Sequence, residues 1–205
     1  MLGAPKDDWR TARRQAARAE ILRVAKELAA ESGLAGLSLR DLARRLGMAA
    51  PSLYGYFDSK MALFDAMFAD GYRELMAVEL PQERTLRAQL QVLSREHVAF
   101  SLADPVRNQL LFTRTIPGFE PSEESWALAQ EVYRRNLEPL LSYDGVTQSD
   151  LDLLTAVLTG LVSQQLSNDP GGDRWLRLLE DAVDLVVHRI ETRIGRVSTR
   201  LGGAA

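Results

Sequence analysis

Apolar residues recur at i, i+3 and i+4 along nearly the whole chain, between Gly and Pro punctuation, and the strict alternation that marks strands is almost absent. The pattern predicts an all-α protein. A first helix is expected from about Arg13 to Ser32, with Ile21, Leu22, Ala25, Leu28 and Ala29 on one face and Gly33 as its stop. Ahead of it, Met1 to Thr11 has little periodicity and reads as a flexible arm carrying Lys6 and Arg10. Ser38, with Asp41 three residues on, opens a short second helix whose stripe is Leu39, Leu42, Ala43 and Leu46; Gly47 ends it. A third short helix follows from about Ala50 to Tyr56, with Pro51 in its first turn, where a missing amide hydrogen costs nothing. Ser59 caps a longer helix carrying Leu63, Phe64, Met67, Phe68, Tyr72 and Leu75, which Pro81 closes.

Further helices are expected near 82–103, 105–115, 121–141, 149–167 and 172–195, about nine in all. The division this suggests is a three-helix unit over residues 1–60 and a helical remainder over 61–205.

Composition narrows the function classes. The 205 residues, 46% of them hydrophobic, suffice for a substantial core, and no apolar run reaches the ~20 residues of a membrane span. Without cysteine, and with only His97 and His188, far apart in sequence, neither disulfides nor a metal centre is expected. No cofactor is expected either. There is no phosphate-binding glycine loop, nucleophile elbow or spaced Ser/His/Asp set, so the chain does not read as an enzyme. A cytoplasmic location is the expectation. Net charge is −3 overall, yet residues 1–60 carry +4 and residues 61–205 carry −7, so only the N-terminal part suits a polyanion.

Two short helices joined by a tight glycine-containing turn, supported by a preceding helix, are the parts of a helix-turn-helix. Its second helix needs a small leading face to enter a major groove about 12 Å wide, and Ala49, Ala50, Pro51 and Ser52 provide one. Tyr54 and Tyr56 can donate to phosphates, as can Lys60 in the first turn of the next helix, while Leu53 and Phe57 point inward. Because Tyr54 and Tyr56 stand two apart, they cannot share a helix face, and at least one should pack. Arg13, Arg14 and Arg18 either steer DNA or solubilise the first helix, and Arg44 and Arg45 leave the same choice.

Over Ile21 to Phe64 the chain resembles the tetracycline-repressor (TetR) family of bacterial regulators. The resemblance rests on an ordered set: Gly33, Ser38-Leu39-Arg40-Asp41-Leu42-Ala43, Leu53-Tyr54-Gly55-Tyr56-Phe57 and Ser59-Lys60. It implies a helix-turn-helix domain plus a C-terminal ligand-binding and dimerisation domain, binding to a double-stranded operator, and release by a small effector. It also implies that Ser38 and Arg40 are backbone or edge contacts. Ala49, Ala50, Pro51, Ser52 and Gly55 would form the recognition surface, with Tyr54, Tyr56 and Lys60 as phosphate clamps. Ala49 and Gly55 depart from the family, which has a Ser or Thr cap and a larger polar residue there. Readout is therefore expected to lean on thymine methyls, phosphates and DNA shape.

The last two predicted helices have wide apolar stripes, from which a homodimer interface is expected through Leu154, Leu158, Leu161, Val162, Leu179, Val183, Val186, Val187 and Ile190. Apolar residues mixed with isolated polar ones suggest a pocket for a largely apolar effector, with His97, Phe100, Asn108, Leu111, Phe112, Arg114, Trp126 and Tyr133 as its candidates. The same composition suits an ordinary helical core. The rival reading of the whole chain is a helical protein-interaction module without specific DNA binding.

Overall fold

Side-chain caps mark where most helices of this protein begin. The structure is a computed structural model describing residues 6–113 and 115–202, so Met1 to Pro5 of the expected arm and the pocket candidate Arg114 lie outside the described residues. Nine α-helices and no strand occur among the described residues: α1 Lys6–Gly36, α2 Leu39–Arg45, α3 Ala50–Tyr54, α4 Lys60–Met76, α5 Leu86–Ala103, α6 Pro105–Asn108, α7 Glu123–Asn136, α8 Gln148–Asn168 and α9 Leu179–Gly202. A π-helical turn, Gln109–Thr113, continues α6, and short 3-10 turns occupy Glu138–Ser142 and Leu176–Leu178. Ser38 accepts the Asp41 amide at 3.4 Å, Ser59 the Ala62 amide at 3.0 Å and Thr85 the Ala88 amide at 3.2 Å. Asp104 does the same for α6 and Ser122 for α7. Each such cap contributes about 1 kcal/mol by satisfying an amide with no partner in its helix.

Some boundaries follow the sequence pattern and others depart from it. α1 begins at Lys6, so residues 6–11 are helical where an arm was expected, and good helix formers, Ala12 to Glu20, follow. Gly33, with φ 72° and ψ 163°, breaks α1 where its stop was expected. The helix expected over 121–141 divides at Leu137, because Pro139 cannot donate an amide hydrogen and disfavours α-helical backbone at its predecessor; a 3-10 turn follows instead.

Packing gathers two cores. The first runs from Ile21, Ala25, Leu42, Leu53 and Phe57 through Phe64 and Phe68 of α4 to Leu110, Leu111 and Phe119, and so continues well past residue 60. The second joins α5, α8 and α9 through Leu90, Val98, Leu151 and the residues expected at a dimer interface. Of the residues expected at a dimer interface, Leu154, Leu158, Val162, Leu179, Val183, Val186, Val187 and Ile190 are buried within the single chain, and Leu161 is half-buried against them. The wide apolar stripe closes the chain's own core. Asp150, fully buried, fastens α8 to α9 by accepting from Arg189 Nε at 3.0 Å and from an Arg193 guanidinium nitrogen at 2.5 Å. Its carboxylate also takes the Thr147 amide and hydroxyl at 2.9 and 2.7 Å. Burial pushes this carboxyl up, but those bonds outweigh it and hold it well below the usual range.

Candidate nucleic-acid interface and internal cavity

Leu53 and Phe57 are buried, and this anchoring leaves Ala49, Pro51, Ser52, Tyr54 and Gly55 exposed on the far side of α3, with Ala50 half-buried between. The turn from α2 to α3 is fixed by the Gly47 amide donating to the Arg44 carbonyl at 3.1 Å and the Met48 amide to Ala43 at 2.9 Å. Gly47 itself has φ 65°, a left-handed conformation that glycine adopts without strain. Ala49, at the N-cap of α3, supplies no side-chain cap.

The two tyrosines separate as their spacing requires: Tyr54 is 53% exposed, whereas Tyr56 is half-buried, with the Arg14 guanidinium 5.7 Å from its ring. Arg14 also donates to the Gly55 carbonyl at 2.9 Å, and Arg18 donates to the Tyr56 carbonyl at 3.3 Å while lying 4.4 Å over Phe57. Lys60 is half-buried: its Nζ donates to the Ala35 carbonyl at 2.9 Å and lies 5.4 Å from the Phe64 ring, tying α4 to the end of α1. Arg44 pairs with Asp41 and Arg45 is held bidentately by Glu31, whereas exposed Arg40 has no ion pair among the described residues.

Helix α4 starts within the head and runs on to a cavity of about 520 Å³. Tyr72 and Leu75 of α4 form part of its wall, facing Leu93 and His97 of α5, Leu111 and Phe112 of the π-helical turn, Trp126 and Tyr133 of α7, and Leu154 and Leu158 of α8. Burial lowers the pKa of the His97 imidazole, whose ring lies 5.0 Å from Phe112, and pushes the Tyr72 phenol up to about 12. No hydrogen bond of the His97 ring to another described residue is present. Gly71 lets the π-helical turn approach α4: a Cβ there would meet Leu111 Cδ1 at 2.9 Å. Beside that contact lies a chain of ion pairs from α1 of the head through α4 to α6. Lys26 of α1 reaches Asp70 at 2.5 Å and Glu74 at 2.6 Å, and Glu74 takes Arg107 of α6 at 2.5 Å. Arg107 also donates to the Phe100 carbonyl at 2.6 Å and stacks 3.6 Å over that ring. Burial opposes the charge on Lys26 and on Glu74, yet their mutual bonds win, raising the Lys26 pKa and lowering that of Glu74.

Residues 21–67, which hold α2, α3 and the start of α4, match the family model described as bacterial regulatory proteins, tetR family. This match places the DNA-binding head in the TetR family. Its members similar to this protein include the HTH-type transcriptional regulator Mb1846 of Mycobacterium bovis, 25% identical over 78% of this chain and 73% of that one. The transcriptional repressor KstR2 of Rhodococcus jostii is 38% identical over 43% of this chain and 46% of its own length. Among solved structures, a TetR protein of Acinetobacter baumannii in complex with minocycline superposes with a TM-score of 0.59 at 25% identity, covering 84% of this chain and 94% of that one. With a TetR-type head, the protein is a DNA-binding transcriptional regulator, and none of its described helices is long and apolar enough to cross a membrane.

Of the pocket residues expected from sequence, the chain brings His97, Leu111, Phe112, Trp126 and Tyr133 to one cavity. Phe100 and Asn108 do not line it: Phe100 lies beneath Arg107, and Asn108 is buried on α6. Sequence reasoning missed Tyr72, Leu75, Leu93, Leu154 and Leu158 as lining residues. Their helical periodicity is that of core positions, and nothing local separates a core wall from a cavity wall.

Proposed function

We propose that the protein is a homodimeric repressor that leaves a palindromic operator when a largely apolar small molecule fills the cavity. The observation that carries this reading is the placement of α4, which starts just after the recognition helix and supplies Tyr72 and Leu75 to the cavity. A ligand there must favour one attitude of α4, since equal affinity for two head positions shifts nothing. The lining is mostly aliphatic and aromatic, and the neutral His97 ring offers one hydrogen-bonding point. Residues 1–60 would hold the DNA and 61–205 would sense and dimerise, without catalysis and within the cytoplasm.

On the DNA, exposed Ala49, Pro51, Ser52 and Gly55, with Ala50, would face the bases. Tyr54, Tyr56, Lys60, Ser38 and Arg40 would meet phosphates or groove edges. With the deeper stripes of α8 and α9 committed to the core, dimerisation falls to their outer faces, where Leu153 and Leu185 are exposed, Leu185 at 72%, beside exposed Leu178 in the 3-10 turn before α9. Two-fold symmetry then sets half-sites ~34–36 Å apart or a multiple of that.

Fluorescence anisotropy on the duplex upstream of its own gene, with unrelated duplex as competitor, tests the reading. Competitor-resistant binding that is lost on Tyr54→Ala and reversed by apolar compounds is expected. Intact duplex binding by the Tyr54→Ala protein would favour the rival helical interaction module.

A further inference from the structure

The first turns of α1 lie alongside the exit of the recognition helix. Arg14 and Arg18 hold the Gly55 and Tyr56 carbonyls, so the two helices are stapled together and the segment N-terminal to Arg14 has a fixed direction. Trp9, Arg10 and Arg13 project from that segment and share one open cleft with Arg14, Gly55 and Tyr56. All three are exposed; Trp9, 53% exposed, carries the Arg10 guanidinium 5.6 Å from its ring, and Arg13 has no ion pair among the described residues. A solvated helix face would not need a large aromatic beside its cations, and the chain's own core leaves this one uncovered.

Resting on the DNA-binding reading of α3, we propose that this N-terminal extension of α1 is a second DNA-contacting element. In it, Arg10 and Arg13 bind backbone phosphates flanking the base pairs that α3 reads, and Trp9 packs against the same stretch of backbone. The argument is charge complementarity together with continuity: the cleft opens directly from Gly55 and Tyr56, the end of the recognition surface, so a duplex lying on α3 runs past it. These contacts add affinity and lengthen the footprint without reading sequence.

The test is the salt dependence of binding by the full chain to a mixed-sequence 40-base-pair duplex, compared with an Arg10→Ala/Arg13→Ala variant and an Arg10→Lys/Arg13→Lys variant. Each phosphate contact contributes about 0.9 to the slope of log Kobs against log salt, so the alanine variant should lose about 1.8 per bound protomer. The lysine variant should keep most of the slope. Hydroxyl-radical protection should also retreat at both outer edges for the alanine variant. An unchanged slope and footprint in a variant that melts like the parent would overturn the proposal and leave the role of α3 standing. A parent chain that binds no duplex would sink both.

Discussion

Tyr54 and Tyr56 show how neighbouring residues of one type acquire different roles. The ring of Tyr54 is free to meet a phosphate, because Leu53 alone anchors that turn of α3; Tyr56 is clamped by Arg14 from the side. Tyr54→Ala should therefore weaken duplex binding at least tenfold while leaving the melting temperature unchanged. Tyr56→Ala should lower both, since it also removes packing against the first core. Equal effects of the two on stability, read by thermal denaturation, would erase the distinction. Lys60 stands between them: one ammonium hydrogen serves Ala35, leaving two for DNA, so Lys60→Ala should flatten the salt slope and also loosen α4 from α1.

At the scale of elements, the helices legible in sequence are those with chemical punctuation. Ser38, Ser59 and Gly47 place α2, the turn and α4 because each satisfies a backbone need that only a few residue types meet. The reach of α1 to Lys6 was not legible, since Trp9 is the one large apolar residue in its first turns and a single position sets no periodicity. The stripes of α8 and α9 were legible as apolar but not as inward-facing. That depends on α5, whose Leu90 and Val98 complete the core from a distant part of the chain. The α8–α9 clasp at Asp150 had no local signature for the same reason, its partners Arg189 and Arg193 lying some forty residues away. Its pKa is depressed in the folded state, so its stabilisation is present above the unfolded value of about 3.9 and is lost as pH falls through the folded value. Asp150→Asn should cost about 2 kcal/mol at neutral pH, because it strands a buried cap and clasp. It should also reduce the acid sensitivity below pH 3.9, both read by denaturant titration across pH. A variant as acid-sensitive as the parent would remove Asp150 from the account.

For the whole molecule, the proposed switch rests on two couplings. The first is the proposed pairing of two chains: Leu185→Arg on the outer face of α9 should yield a folded monomer by sedimentation, with operator affinity reduced at least a hundredfold because the second head no longer binds intramolecularly. A dimer that persists would move the interface elsewhere. The second joins head to cavity within one chain. Lys26 and Arg107 belong to α1 and α6, yet each holds Glu74 of α4, so a shift of the π-helical turn that moves Arg107 redistributes Glu74 and with it the grip on Lys26. Lys26→Met and Arg107→Met should therefore be non-additive in duplex affinity by about 1 kcal/mol, beyond the ~0.5 kcal/mol scatter of independent sites. The sign is informative. If the first substitution already frees Glu74, the second should cost less in the double variant than alone, as expected of a relay in series. Additive losses would mean that α4 carries the signal by packing alone, through Gly71 against Leu111.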